Sequence, residues 1–303
     1  FQDPNIANRK MGECPRRTVS AIVVDGAAIG QSILEEVSQR VSSLHEKGVE
    51  THLTVVIAGE DPASRVYVRN KERACRDCGI LSTRIDLPDT ANLSEILEVV
   101  EKLNADESVH GILVQSPAPD GVDELRIASS ILPEKDVDGF HPMNLGRLVQ
   151  GDSGGLLPCT PSGVMRMLEH VGTRLAGSKA VVLGRSRIVG MPMALMLAQR
   201  GVDSTVTITH SKSEGIGGIC READILVAAV GIPNIVEPGW IKPGAFVIDV
   251  GISRVEGGGL AGDVSAEASE IAGWITPVPG GVGPMTIAML MSNTVRAAES
   301  LST

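Results

Sequence analysis

The chain has 303 residues, which a prior of roughly 150 residues per domain divides into about two domains. Apolar residues make up 43% and charged residues 21%, the balance of a globular protein with a real core. A net charge of −10 and only 2% aromatics argue against nucleic acid, anionic membrane and base-stacking partners.

The first ten residues, Phe1 to Lys10, are polar, lack the apolar stretch of a signal peptide, and read as dispensable. Between Ala27 and Gly48, apolar residues at Ile29, Ile33, Leu34, Val37, Val41 and Leu44 mark one face of a helix. His52–Ala58 reads as a strand. Asp61-Pro62 then supplies an N-cap and an N1 proline for a helix that runs to Gly79. A strand at Leu81–Leu87, a helix at Leu93–Asn104 and a strand at Gly111–Gln115 complete an alternating series typical of a parallel sheet. Turn-rich text from Ser116 to Pro158 marks the domain change.

A second series follows. Thr160-Pro161 opens a helix, Lys179–Gly184 is a strand, Pro192–Arg200 a helix and Thr205–Thr209 a strand. Ile225–Val230 and Phe246–Val250 are short enough to be buried parallel strands. Gly215, Gly217 and Gly218 weaken the helix expected after Thr209. The uncharged stretch from Ile271 to Val295 is long enough to span a bilayer, but three prolines and four glycines make it strand, loop and helix. Helical pattern resumes over Thr286–Ser300.

The five cysteines, Cys14, Cys75, Cys78, Cys159 and Cys220, are odd in number and scattered, which fits a reducing compartment and a cytoplasmic protein. Cys75 and Cys78 form a lone CxxC with no second pair to complete a zinc set, so no metal is expected.

Two places carry chemistry. The strand KAVVLG leads into Gly184-Arg185-Ser186-Arg187-Ile188-Val189-Gly190 and then a helix, the arrangement that cradles a pyrophosphate. Ser186 stands where GxGxxG has its second glycine, and a tight turn in any α/β sheet would read similarly. After TVTIT comes His210-Ser211-Lys212, with no carboxylate for a ribose 2′-hydroxyl. Ser211, with Arg185, would instead welcome a 2′-phosphate, so NADP is expected over NAD.

The second place is the helix after Pro62. Ala63, Tyr67, Lys71, Ala74 and Cys78 step along one face, with Arg65, Arg69, Arg73 and Arg76 on another. Lys71 interrupts the core-facing seam one turn beyond Tyr67, the only tyrosine. Desolvation lowers the pKa of a partly buried lysine and suits it to proton transfer, although such a side chain can also snorkel to solvent. Gln115 closes its strand where open sheets bind ligands. Asp138 lies in the turn DVDG, and Pro279 to Pro284 form a loop able to approach a flat ligand.

Eight segments extend these readings: DPASRVYVRNK (61–71), HGILVQSPAP (110–119), PEKDVDGFHPMNLGRL (133–148), LPCTPSGV (157–164), VVLGRSRIVGMPMA (181–194), ADILVAAVG (223–231), GAFVIDVGI (244–252) and ITPVPGGVGPMT (275–286). In this order the chain resembles the bifunctional methylenetetrahydrofolate dehydrogenase/cyclohydrolase family. The resemblance implies a two-domain α/β fold with a cleft between the domains. Residues 1–157, with the C-terminal helix 284–303, would form the folate-binding catalytic domain, and 158–283 a Rossmann-like NADP-binding domain with a doubly wound parallel sheet. It implies NADP-linked oxidation of 5,10-methylenetetrahydrofolate to the methenyl form and hydrolysis to 10-formyltetrahydrofolate.

By the same resemblance Tyr67 stacks on the folate, Lys71 is the catalytic lysine, Gln115 tunes it and Asp138 holds the pterin. Val114, Ser116 and Pro279, Gly280, Gly281, Val282 and Gly283 line the folate pocket, and Gly184, Arg185, Ser186, Ser211 and Ile252 line the cofactor site. A homodimer paired through the cofactor domain is implied. The family commonly reads VQLPLP where this chain has Val114-Gln115-Ser116-Pro117-Ala118-Pro119, which removes apolar bulk beside the folate. A monofunctional NAD-linked dehydrogenase of the same family, or a non-catalytic folate- or dinucleotide-binding regulator, would share most of these features.

Overall fold

The computed structural model describes residues 20–59, 62–255 and 258–302, with the side chains of 62–64 excepted. The expected N-cap at Asp61, the side chain of Ala63, Cys14 and the polar segment 1–10 lie outside the described residues.

Two parallel sheets organise the chain. It opens with β1 (Ile22–Val23), α1 (Gly26–Glu46), β2 (His52–Ala58), α2 (Pro62–Cys78), β3 (Leu81–Leu87), α3 (Leu93–Ala105) and β4 (Gly111–Gln115). The two short helices α4 (Glu124–Ala128) and α5 (Pro142–Gln150) follow. The three-stranded sheet has the order β3-β2-β4, with β2 buried along its whole length between the other two. Its helices start where the sequence supplies acceptors. Asp25 accepts from the N–H groups of Ala27 and Ala28, and Asn92 forms a capping box with Glu95.

The second half runs α6 (Cys159–Val171), β5 (Lys179–Leu183), α7 (Gly190–Ala198), β6 (Thr205–Thr209), α8 (Ile216–Cys220), β7 (Ile225–Ala228) and β8 (Phe246–Asp249). A small antiparallel hairpin, β9 (Ser253–Arg254) and β10 (Leu260–Ala261), precedes β11 (Trp274–Ile275) and α9 (Val282–Leu301). The parallel sheet has the order β1-β11-β8-β7-β5-β6. Strand order reverses beside β5, the switch point where doubly wound sheets open a ligand crevice.

Residues 22–23, which lie within the 1–157 bound that the resemblance implied for the first domain, pair with β11 at the edge of the second sheet. Ile22 N–H donates to Gly273 O at 2.9 Å and Val24 N–H to Ile275 O at 2.8 Å. Helix α9 returns to pack against α1, α6 and α2. Buried Val37, Leu168, Met193, Met285, Met291 and Phe246 belong to one apolar cluster shared by both halves. The two sheets are therefore joined by packed helices rather than by a bare linker.

Helix starts differ from expectation at two prolines. α7 begins at Gly190, so Pro192 is its third residue, and α9 begins at Val282, so Pro284 is its third. A first-turn N–H has no helical partner, and its absence in proline costs nothing there. The glycine-weakened helix is reduced to the five residues of α8, where a side chain on Gly217 would run into the Trp240 ring.

Candidate active site

The inward line of α2 is Val68, Lys71, Cys75 and Cys78, with Ala74 beside it; the cysteines, Val68 and Ala74 are buried and Lys71 partly so. This stripe keeps Lys71, Ala74 and Cys78 of the expected seam, but Val68 takes the buried place expected for Tyr67, which is 41% exposed. The CxxC pair is core packing. Cys75 Sγ sits 3.5 Å from Met291 Sδ, and burial pushes the Cys75 thiol up to about 12 and the Cys78 thiol up to about 11. Among the described residues no three His, Cys, Asp or Glu side chains converge as a metal site.

Lys71 does not run out to solvent. Its Nζ donates to Gln115 Oε1 at 3.0 Å, and the other end of that carboxamide donates to Ser116 O at 2.7 Å. The second contact fixes which Gln115 atom faces the ammonium. Asp138 is half-buried nearby, and burial pushes its carboxyl up to about 6, although the Lys71 charge pulls it down.

The loop bearing Asp138 is braced from behind. Asn293 on α9 donates to Val137 O and to Leu157 O, both at 2.8 Å. The buried Lys135 ammonium donates to Leu103 O (3.1 Å), Asn104 O (3.0 Å) and Asp106 O (2.7 Å), closing the C-terminus of α3.

Two cavities flank this centre. The smaller, about 250 Å³, is lined by Val114, Gln115, Ser116, Asp138, Glu124 and, from the other domain, by Ser186, Arg187 and Ile188. The larger, about 770 Å³, lies between α1, α2 and the 277–284 loop, and takes in Tyr67, Pro279, Gly280, Gly281, Val282, Gly283 and Ile252. The candidate residues are thus divided, with Gln115 and Asp138 on one side and Tyr67 with the Pro279–Gly283 loop on the other.

The cofactor turn is built on two close approaches. Gly184 has φ +117° and a side chain there would meet Ala229 O at 2.3 Å; one on Gly190 would meet Gly184 O at 2.3 Å. Ser186 Oγ accepts from the N–H groups of Val189 (3.1 Å) and Gly190 (3.2 Å), so a hydroxyl closes the turn where the usual fingerprint has glycine. Leu183 pairs with Thr209, so the loops that carry Arg185 and Ser211 both leave the sheet at the same carboxyl edge. Both residues are exposed, and neither lines either of the two cavities described above.

Beyond β7 and β8 two buried carboxylates tie the loops. Asp249 accepts from the N–H groups of Gly251, Asp263 and Val264, and Asp263 from those of Val230 and Gly231. This fixes the loop that carries Ile252. Burial pushes the Asp249 carboxyl up to about 6 against those hydrogen bonds.

Glu124 and Arg187 meet across the cleft at 3.0 Å, a contact that no sequence pattern announced. Arg187 lies inside the glycine turn, but nothing in the turn's spacing says what it faces. Asn293 and Lys135 were equally silent, one inside a helical pattern and the other in a charged loop.

Comparison with known proteins gives one consistent result. The tetrahydrofolate dehydrogenase/cyclohydrolase catalytic-domain model matches residues 24–138, and that family's NAD(P)-binding-domain model matches residues 158–302. The bifunctional protein FolD of Moorella thermoacetica is 53% identical over 280 residues, 92% of this chain and 99% of that protein. The bifunctional FolD methylenetetrahydrofolate dehydrogenase/cyclohydrolase of Campylobacter jejuni superposes with a TM-score of 0.90 at 45% identity, covering 93% of this chain and 99% of its own. The Trypanosoma brucei methylenetetrahydrofolate dehydrogenase-cyclohydrolase, solved with NADP and an inhibitor, gives 0.87 at 39% identity, covering 93% and 98%.

Proposed function

The chain belongs to the tetrahydrofolate dehydrogenase/cyclohydrolase family, and from that membership we propose how its own residues serve the two reactions. It oxidises 5,10-methylenetetrahydrofolate to 5,10-methenyltetrahydrofolate with NADP, and hydrolyses the product to 10-formyltetrahydrofolate. The observation that carries the reading is Lys71 held on Gln115 at 3.0 Å, next to Asp138 and across a cavity from the glycine turn.

The turn suits a dinucleotide because it runs from the carboxyl end of β5, beside the point where strand order reverses, into the N-terminus of α7. When bound, NADP supplies a hydride acceptor. Gly184, Arg185, Ser186, Ser211 and Ile252 would hold it, and Arg185 and Ser211 would meet the 2′-phosphate. The methylene carbon sits between two nitrogens whose lone pairs release the hydride, so the protein's part in oxidation is alignment. Tyr67 and the Pro279–Gly283 loop bind the folate, Val114 and Ser116 flank it, and Asp138 holds the pterin.

Hydrolysis needs proton movement. Water adds to the amidinium carbon, and Lys71, in its neutral amine form at this step, takes a proton from it. Lys71 returns that proton to N5 as the carbon–N5 bond breaks, and the second water proton leaves as the carbinol collapses to the formyl group on N10. Gln115 keeps the amine directed at this point, since its own amide group is committed to Ser116 O.

The protein works as a homodimer paired through the cofactor domain, whose sheet leaves β6 with one open edge among the described residues. It works in the cytoplasm, in keeping with its four described cysteines, all of which are free. Absorbance during turnover with methylenetetrahydrofolate and NADP tests the reading. Reduced nicotinamide should appear on mixing, and methenyltetrahydrofolate added on its own should lose its absorbance; failure of either change overturns the reading.

A further inference from the structure

One continuous run of polar contacts joins the two sides of the cleft, and its central residue takes no part in the chemistry above. Lys71 Nζ donates to Gln115 Oε1 at 3.0 Å, and Gln115 Nε2 to Ser116 O at 2.7 Å. Ser116 Oγ donates to Glu124 Oε1 at 2.7 Å, joined there by the Ala118 N–H at 3.0 Å. Arg187, one residue beyond Ser186 in the cofactor turn, donates to Glu124 Oε2 at 3.0 Å. The carboxylate opening α4 is therefore held by two donors from the Gln115 loop and one from the other domain. Burial would raise its pKa, but Ser116, Ala118 and Arg187 outweigh burial and hold it below the usual range. A leucine at position 116, usual in the family, would have no hydroxyl to offer.

We infer that Glu124 is a positioning residue that sets the separation and angle between the folate site and the cofactor turn, and so governs hydride transfer more than hydrolysis. The inference rests on the two-reaction reading above. The Glu124 and Arg187 side chains are 34% and 42% exposed, so their pairing contributes little to folding and its importance is geometric. Hydride transfer takes its donor carbon from one side of the cleft and its acceptor from the other, where a displacement of ~1 Å can cost on the order of 100-fold. Hydrolysis draws Lys71, Gln115 and Asp138 from one side alone.

The test compares both activities in the full-length protein, wild type, Glu124→Gln, Arg187→Gln and the double variant. In each single variant the ratio of dehydrogenase to hydrolase kcat should fall about tenfold, with the loss in kcat rather than in KM for NADP. The double variant should lose no more than the worse single, since each change breaks the same contact. Arg187→Lys, which keeps a cation in reach, should recover most of the ratio. An unchanged ratio, equal losses in both activities, or multiplying losses in the double variant would overturn the assignment. A wild-type protein lacking one of the activities would overturn the functional reading instead, and the same assays register that outcome separately.

Discussion

Replacing Asp138 with Asn should make the folded protein more stable at neutral pH while weakening folate binding and turnover. The Asp138 carboxyl is raised from 3.8 to about 6, with burial the leading cause. The native state holds this proton more tightly than the unfolded chain does. The group's contribution to stability is therefore complete below about pH 4 and is lost as pH rises through about 6. At pH 7.5 the buried charge costs about two pKa units, or ~3 kcal/mol. Asparagine has nearly the same shape and no charge to bury. Urea unfolding of ligand-free wild type and Asp138→Asn should give a difference of ~3 kcal/mol at pH 7.5, a Tm rise of about 5 °C, that shrinks towards zero near pH 4. The similarly raised Asp249 gives both proteins the same slope and cancels. Equal stability at pH 7.5, or one constant difference at both pH values, would refute the burial argument.

Gly184→Ala puts a methyl 2.3 Å from Ala229 O at a backbone φ of +117°. It should cost ~3 kcal/mol in urea and abolish NADP binding in a fluorescence titration, and wild-type binding would contradict the packing. Lys135→Met removes an ammonium that serves three backbone carbonyls, and should lower unfolding stability by ~2–3 kcal/mol, read from the urea midpoint. Burial raises the thiols of Cys75, Cys78, Cys159 and Cys220. Peptide mapping after alkylation of native protein at pH 8 should find all four unmodified, and rapid labelling of any one would show that its helix or loop opens readily.

Periodicity makes most of the framework readable, because β2, β4, β5, β7 and β8 are apolar runs bounded by turn residues and α1 shows one clean apolar face. Helix starts at Gly190 and Val282 were harder to place, since a proline inside the first turn looks like a starting point rather than a third residue. β1 is two residues long, and only its partner β11, some 250 positions away, makes it a strand. The run of β7 stops at Ala228 because the Val230 N–H turns to Asp263 instead of continuing the ladder.

In the site, Lys71 could be picked out because a cation in an apolar seam is out of place, and Gln115 because it ends a buried strand. Tyr67 shows the limit of that reasoning: its spacing puts it in line with Lys71 and Ala74, yet Val68 takes the buried place and Tyr67 lies on a cavity wall. Arg187, Asn293 and Lys135 act through partners far along the chain, and Glu124 joins nearby Ser116 and Ala118 to distant Arg187, so no local pattern signals any of them.

The central claim is that one amine, held by Gln115, moves the protons of the hydrolytic step. Its most direct test is methenyltetrahydrofolate hydrolysis by Lys71→Met, with NADP affinity measured on the same preparation. The account predicts that hydrolysis falls by about 10²–10⁴-fold while NADP binds as in wild type. Hydrolysis within a factor of about two of wild type would contradict it, because general acid–base catalysis by this residue could not then be contributing appreciably.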